Sequence, residues 1–223
     1  MSRINTLAPT PRDPLVCADA RQPSATVERS ATIHPGWLRA AHWLNALAVV
    51  LMVTSGWRIY NAAPFFEFRI PGELTLGGWL GGALQWHFAA MWLLGLNGLV
   101  YLCLNLASGR FARKFLPLTL PGVWRDLRDA VRGRLSHADP RHYNHLQRLA
   151  YLAIVIDLAV LVLSGLVLWK SVQFPLLREL MSGYEGARRV HFVAMAVLVA
   201  FTAGHLLMVA VVPRTLIAMV RGR

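Results

Sequence analysis

Four histidines stand in apolar stretches of this chain: His42, His87, His191 and His205. Imidazole is a metal ligand and a proton carrier, and within a bilayer it is costly unless it has a partner. The most informative interval is the one between His191 and His205, which share the uncharged apolar run Val190–Pro213. Fourteen residues of helix leave their side chains within about 40° of one face and about 21 Å apart along the axis. One metal ion cannot be shared over that distance. Two sites stacked at two depths can be.

The elements that position them follow from hydropathy. Of 223 residues, 56% are hydrophobic and 15% are charged, with a mean hydropathy of +0.45. That composition exceeds what an ordinary soluble domain carries. Four stretches are long and apolar enough to span a bilayer: 40–57, 84–107, 149–169 and 190–212. Only the third holds a charge, Asp157. The expected fold is all-α, a four-transmembrane-helix bundle.

The formal net charge of +12 sorts by loop. Of the 23 Lys and Arg residues, 17 fall in the N-terminal segment, the loop between spans two and three, and the C-terminal segment; six fall in the other two loops. This bias predicts that both termini are cytoplasmic. Anionic lipid headgroups account for the basic balance without nucleic acid. Cys17 and Cys103 do not make a disulfide framework. Residues 1–33, rich in Pro, Ser, Thr and Arg, read as a disordered cytoplasmic tail without a signal peptide. The bundle is expected over 34–215, with a short cytoplasmic tail at 216–223. In the inner loop, Pro121–Leu135 places Trp124, Leu127, Val131 and Leu135 at helical spacing, which predicts an amphipathic helix on the cytoplasmic surface. Phe65, Phe66, Phe68 and Trp79 in the outer loop serve as interfacial anchors or as a docking surface.

Span direction sets depth. Measured from the span midpoints, His42 lies about 10 Å and His205 about 6 Å toward the cytoplasm, while His87 lies about 13 Å and His191 about 15 Å toward the outside. The four form two level pairs, His42 with His205 and His87 with His191. Each pair is suited to clamp one planar cofactor from opposite faces. Haem b fits: its iron accepts axial His and its ring needs an apolar slot. No Cys-x-x-Cys-His sequence exists for covalent attachment, and zinc would require three or four ligands at one level. Gly56 and Gly98 fall on the faces of His42 and His87 but at the opposite levels, which would leave room for a ring, or for helix contact. Arg188 and Arg189, with Arg58, are the cations expected near the outer pair, and Arg39 and Arg214 those near the inner one. His145 is a rival for the inner position. Asp157 serves proton movement or accepts a hydrogen bond in neutral form.

A weak internal duplication is also visible. His87-Phe-Ala-Ala-Met91 resembles His191-Phe-Val-Ala-Met195, and Val53-Thr-Ser-Gly56 resembles Val162-Leu-Ser-Gly165. It places Tyr151, not a histidine, opposite His42, which argues against His145.

Residues 33–213 resemble the bacterial transmembrane di-haem cytochrome b subunits of nickel–iron hydrogenases, formate dehydrogenases and thiosulfate reductases. The similarity rests on His42-Trp43-Leu44-Asn45, Trp86-His87-Phe88, His142-Tyr143-Asn144 with Gln147, and the His191…His205 pair. It implies that His42 and His205 hold an inner haem and His87 and His191 an outer one. It also implies a quinone site at the cytoplasmic side, with Asn144 and Gln147 as candidate contacts, in a bacterial inner membrane. The expected function is electron transfer between membrane quinone and a periplasmic oxidoreductase subunit, with a molybdenum enzyme as the candidate partner, by a subunit that is not itself catalytic. The rival readings are a stand-alone di-haem quinone reductase oxidising a small donor such as superoxide, and a haem-free transporter or assembly factor.

Overall fold

The computed structural model describes residues 35–109, 118–132 and 145–222, all within the unit Thr32–Arg223. Every regular element in them is helical. In order they are α1 (Gly36–Ala62), a 3₁₀ turn (Gly72–Leu74), α2 (Leu80–Ala107), α3 (Leu120–Val131), α4 (His145–Trp169), α5 (Pro175–Leu180), α6 (Gly183–Val211) and α7 (Arg214–Arg221). Four of them, α1, α2, α4 and α6, are long and apolar enough to cross a membrane. They outrun the apolar spans because backbone hydrogen bonding continues through polar ends that hydropathy leaves out; the 27 residues of α1 make about 40 Å of helix against about 30 Å of hydrocarbon.

The helix ends follow local chemistry. Pro35 opens α1, its carbonyl accepting from Leu38 and Arg39, and Pro64 follows its end. Pro175 sits in the first turn of α5. Gly77, at φ 106°, turns the outer loop into α2 where a Cβ would strike the backbone of Ala83, so no other residue suits it. Leu76 N–H donates to the Thr54 carbonyl at 3.0 Å, which folds the outer loop back along α1.

Two antiparallel hairpins make up the bundle. α1 packs on α2 and α4 packs on α6, while backbone approaches between the hairpins are sparse. The tightest positions are occupied by small residues: Ala48, Ser55, Ala83, Ser164 and Ala187 are fully buried. Large residues such as Leu47, Val50, Leu96, Leu99 and Leu207 face outward instead. That inversion is expected in a bilayer, where lipid solvates Leu as well as protein does, and helices associate by close backbone approach.

The amphipathic helix of the inner loop is present as α3, ending at Val131. It packs on the start of α4, where Gly122 lies so close to the His145 ring that a Cβ would collide with it. Asp126 accepts the Leu146 N–H at 3.4 Å, occupying one of the donors left open at the α4 N-terminus.

Candidate functional site

The structure assembles both histidine pairs. His42 on α1 faces His205 on α6, with ring centres 6.1 Å apart and planes at 63°. His87 on α2 faces His191 on α6, at 6.3 Å and 65°. All four are half-buried, each at a contact between the hairpins. Two imidazoles bonded to one metal from opposite sides, with metal–nitrogen bonds of about 2 Å, have ring centres about 6 Å apart. Both pairs therefore meet the separation that a bis-histidine iron requires. Among the described residues no group of three or more His, Cys, Asp or Glu side chains is placed to hold a metal, so the donor sets are pairs.

The outer pair is built twice over. In the first hairpin, Ser55 Oγ lies 3.1 Å from His87 Nδ1, and a Cβ on Gly56 would stand 3.5 Å from His87 Cε1. In the second, Ser164 Oγ lies 2.9 Å from His191 Nδ1, and a Cβ on Gly165 would stand 3.4 Å from His191 Cε1. The neighbours also match: Ala83 and Ala90 flank His87 as Ala187 and Ala194 flank His191, all four buried. The duplication visible in the sequence thus recurs in space as a matching Ser-Gly contact on each of the two histidine rings. Ser55 and Ser164 were missed as site residues by sequence reasoning, although the twin Ser-Gly dipeptides were the signal. Gly56 turns out to seat the His87 ring itself, whereas Gly98 has open space where its Cβ would be, as room for a planar ring requires.

The inner pair has different company. Trp43 meets His42 edge-on at 5.5 Å, and Phe201 lies parallel to His205 at 6.2 Å. Asn97 of α2, also missed from sequence, donates to the Ala41 carbonyl and to Asn45 Oδ1 on either side of His42. Arg39, one turn before His42, has a buried Nε without a hydrogen-bond partner.

The remaining candidates are dispersed. Arg188 pairs with Glu185 at 3.1 Å, hydrogen-bonds the Ala63 carbonyl and lies over the Phe65 ring at 5.0 Å. Arg189 is exposed and shares a shallow crevice between α4 and α6 with Asp157, whose Oδ2 is buried without a hydrogen-bond partner. Gln147 lies in the first turn of α4 and His145 at its start. Asn144, His142, the N-terminal segment 1–34 and Cys17 lie outside the described residues. At the outer end, Phe65, Phe66, Phe68 and Tyr60 surround Phe192, the neighbour of His191. Tyr60 donates to the Phe68 carbonyl at 3.1 Å, and Asn61 exchanges two hydrogen bonds with Ile70, so this aromatic platform is held to α1.

A putative protein-methionine-sulfoxide reductase subunit YedZ1 of Azospira oryzae is 67% identical over 190 residues, covering 85% of this chain and 96% of that protein. No solved structure matches. The model of a family described as prokaryotic cytochrome b561 matches residues 33–222. This chain is therefore a member of the prokaryotic cytochrome b561 family, a multi-pass membrane b-type cytochrome whose cofactor is haem b.

Proposed function

We propose that this protein is the di-haem membrane subunit that carries electrons from the quinone pool to a periplasmic oxidoreductase. The observation that carries the reading is the presence of two histidine pairs, at 6.1 and 6.3 Å and with nearly equal crossing angles, on helices that cross a membrane. His42 and His205 would hold the inner haem, and His87 and His191 the outer one. Bound haem b supplies one-electron iron redox chemistry; the protein supplies ligation, spacing and a low-dielectric surround.

The chain's own residues support the rest of the path. Arg188 and Arg189 at the outer end of α6 are cations where propionate carboxylates would meet the interface. The cytoplasmic end, near His42 and His205, is the quinone side in this reading, with Gln147 and Asn144 as contacts. The exposed aromatic platform of Phe66 and Phe68 is the surface offered to the partner. The bias of 17 basic residues to one set of loops supports cytoplasmic termini in a bacterial inner membrane.

The relative's name suggests the partner's chemistry and the direction of flow. Reduction of a methionine sulfoxide to the thioether consumes two electrons and two protons and releases water, so electrons leave the membrane subunit toward the outside. The test is purification of the protein with its partner into liposomes, with quinol as donor and a methionine-sulfoxide peptide as acceptor. Quinol should reduce the cytochrome, and the peptide should reoxidise it only when the partner is present. A cytochrome that quinol does not reduce, or that carries one haem per chain, would overturn the reading.

A further inference from the structure

The two serines beside the outer histidines have a donor–acceptor assignment that geometry alone settles. Ser55 Oγ lies 2.6 Å from the Leu51 carbonyl, and Ser164 Oγ lies 2.6 Å from the Val160 carbonyl. A carbonyl oxygen only accepts, and a hydroxyl has one hydrogen to give. At these short distances that hydrogen is committed to the carbonyl of the preceding turn. The same Oγ atoms lie 3.1 Å from His87 Nδ1 and 2.9 Å from His191 Nδ1, so in both contacts the serine accepts and the imidazole donates. Both serines are fully buried, so no solvent competes for the bond. The outer histidines are therefore fixed as Nδ1–H tautomers, which leaves each Nε2 lone pair for a metal.

The inner histidines lack this arrangement. Among the described residues no hydrogen bond engages the ring of His42 or His205; aromatic rings stand beside them instead. A hydrogen bond from the ligand's far nitrogen makes an imidazole the more basic donor, and a more basic donor favours the ferric over the ferrous ion.

We propose that Ser55 and Ser164 are paired positioning residues that orient the outer histidines and lower the reduction potential of the outer haem, so that the two haems are electronically unlike by design of their surroundings. The proposal rests on the reading of His87 and His191 as the outer ligands.

The test is a potentiometric titration of the full chain in nanodiscs, followed by haem absorbance. Haem is counted by pyridine haemochrome, and His87→Ala identifies the outer component by its loss. Ser55→Ala with Ser164→Ala should retain both haems and raise the outer midpoint. At fixed potential the ferrous-to-ferric ratio should rise about three- to tenfold, which is roughly 30–60 mV at 59 mV per decade for one electron. The inner midpoint should not move. Ser55→Cys with Ser164→Cys keeps a side chain of similar shape but a weaker acceptor, and should shift the outer midpoint in the same direction. An unmoved outer midpoint at full haem content overturns the proposal. So does an equal shift of both components, or haem loss in the alanine variants with a wild-type midpoint in the cysteine ones. A wild-type protein with a single haem would instead overturn the di-haem reading itself.

Discussion

Asn97 on α2 donates its Nδ2 hydrogens across to α1, to Asn45 Oδ1 at 2.7 Å and to the Ala41 carbonyl at 2.8 Å. These two acceptors flank His42, so α2 holds the register of the helix that carries His42. Interhelical hydrogen bonds between membrane helices average about 0.6 kcal/mol and reach about 1.7 kcal/mol. Asn97→Ala is expected to lower stability by about 1–2 kcal/mol, because it removes both bonds and leaves Asn45 unpaired within the bundle. Denaturation in detergent, followed at the haem absorbance, measures it. Inner-haem absorbance should be lost before the outer; simultaneous loss at the wild-type midpoint would contradict the role given to Asn97.

Ligand removal separates the two levels. His42→Ala and His191→Ala should each reduce the haem count from two to one, and the double variant should carry none. The pairs draw on different partner helices, α1 and α2, and stand about 21 Å apart along α6, so one can be lost while the other remains. Pyridine haemochrome gives the count directly. Retention of both haems by either single variant would refute the pairing.

Gly56 and Gly165 should tolerate a methyl and refuse a longer side chain. A Cβ would stand 3.5 Å from His87 Cε1 and 3.4 Å from His191 Cε1, which is ordinary contact or close to it. Atoms beyond Cβ at these positions would press on the ring and tilt it from its partner. Gly56→Ala and Gly165→Ala are expected to keep the outer haem, and Gly56→Leu and Gly165→Leu to lose it with the inner one intact. Equal spectra for all four variants would count against a ring-seating role.

Membrane orientation is open to reporter fusion. A phosphatase active only in the periplasm should be silent when fused after Arg223 and active when inserted at Glu73 in the outer loop. The reverse pattern would invert the assignment of inner and outer haems.

The aromatic platform gives a prediction about the partner. Phe66 and Phe68, each about half exposed, stack 5.8 Å apart at 9°. Replacing both with Ala should weaken binding of the periplasmic partner about tenfold, as buried aromatic anchors at interfaces do, without altering the haem spectrum. Titration of the partner against the reduced cytochrome measures the affinity. Unchanged affinity would place docking elsewhere on the outer face.

Much of this molecule was legible in one dimension. Apolar run lengths decide the number of spans, because a bilayer admits only segments with internally satisfied backbone. Helical rise converts the interval from His191 to His205 into a vertical separation, and alternating span direction then pairs His42 with His205 and His87 with His191. Those steps need only periodicity and thickness. What they cannot supply is lateral packing. Which helix lies against which, that Ser55 and Ser164 accept from the outer histidines, that Gly56 seats a ring, and that Asn97 reaches Asn45 are relations between residues up to 52 positions apart. They depend on the rotation of each helix about its axis. In a bilayer that rotation is set by small-residue contacts and a few polar bonds rather than by a hydrophobic face. The sequence by itself determined two stacked histidine pairs in a membrane; tertiary packing decided what surrounds each pair, and so what distinguishes them.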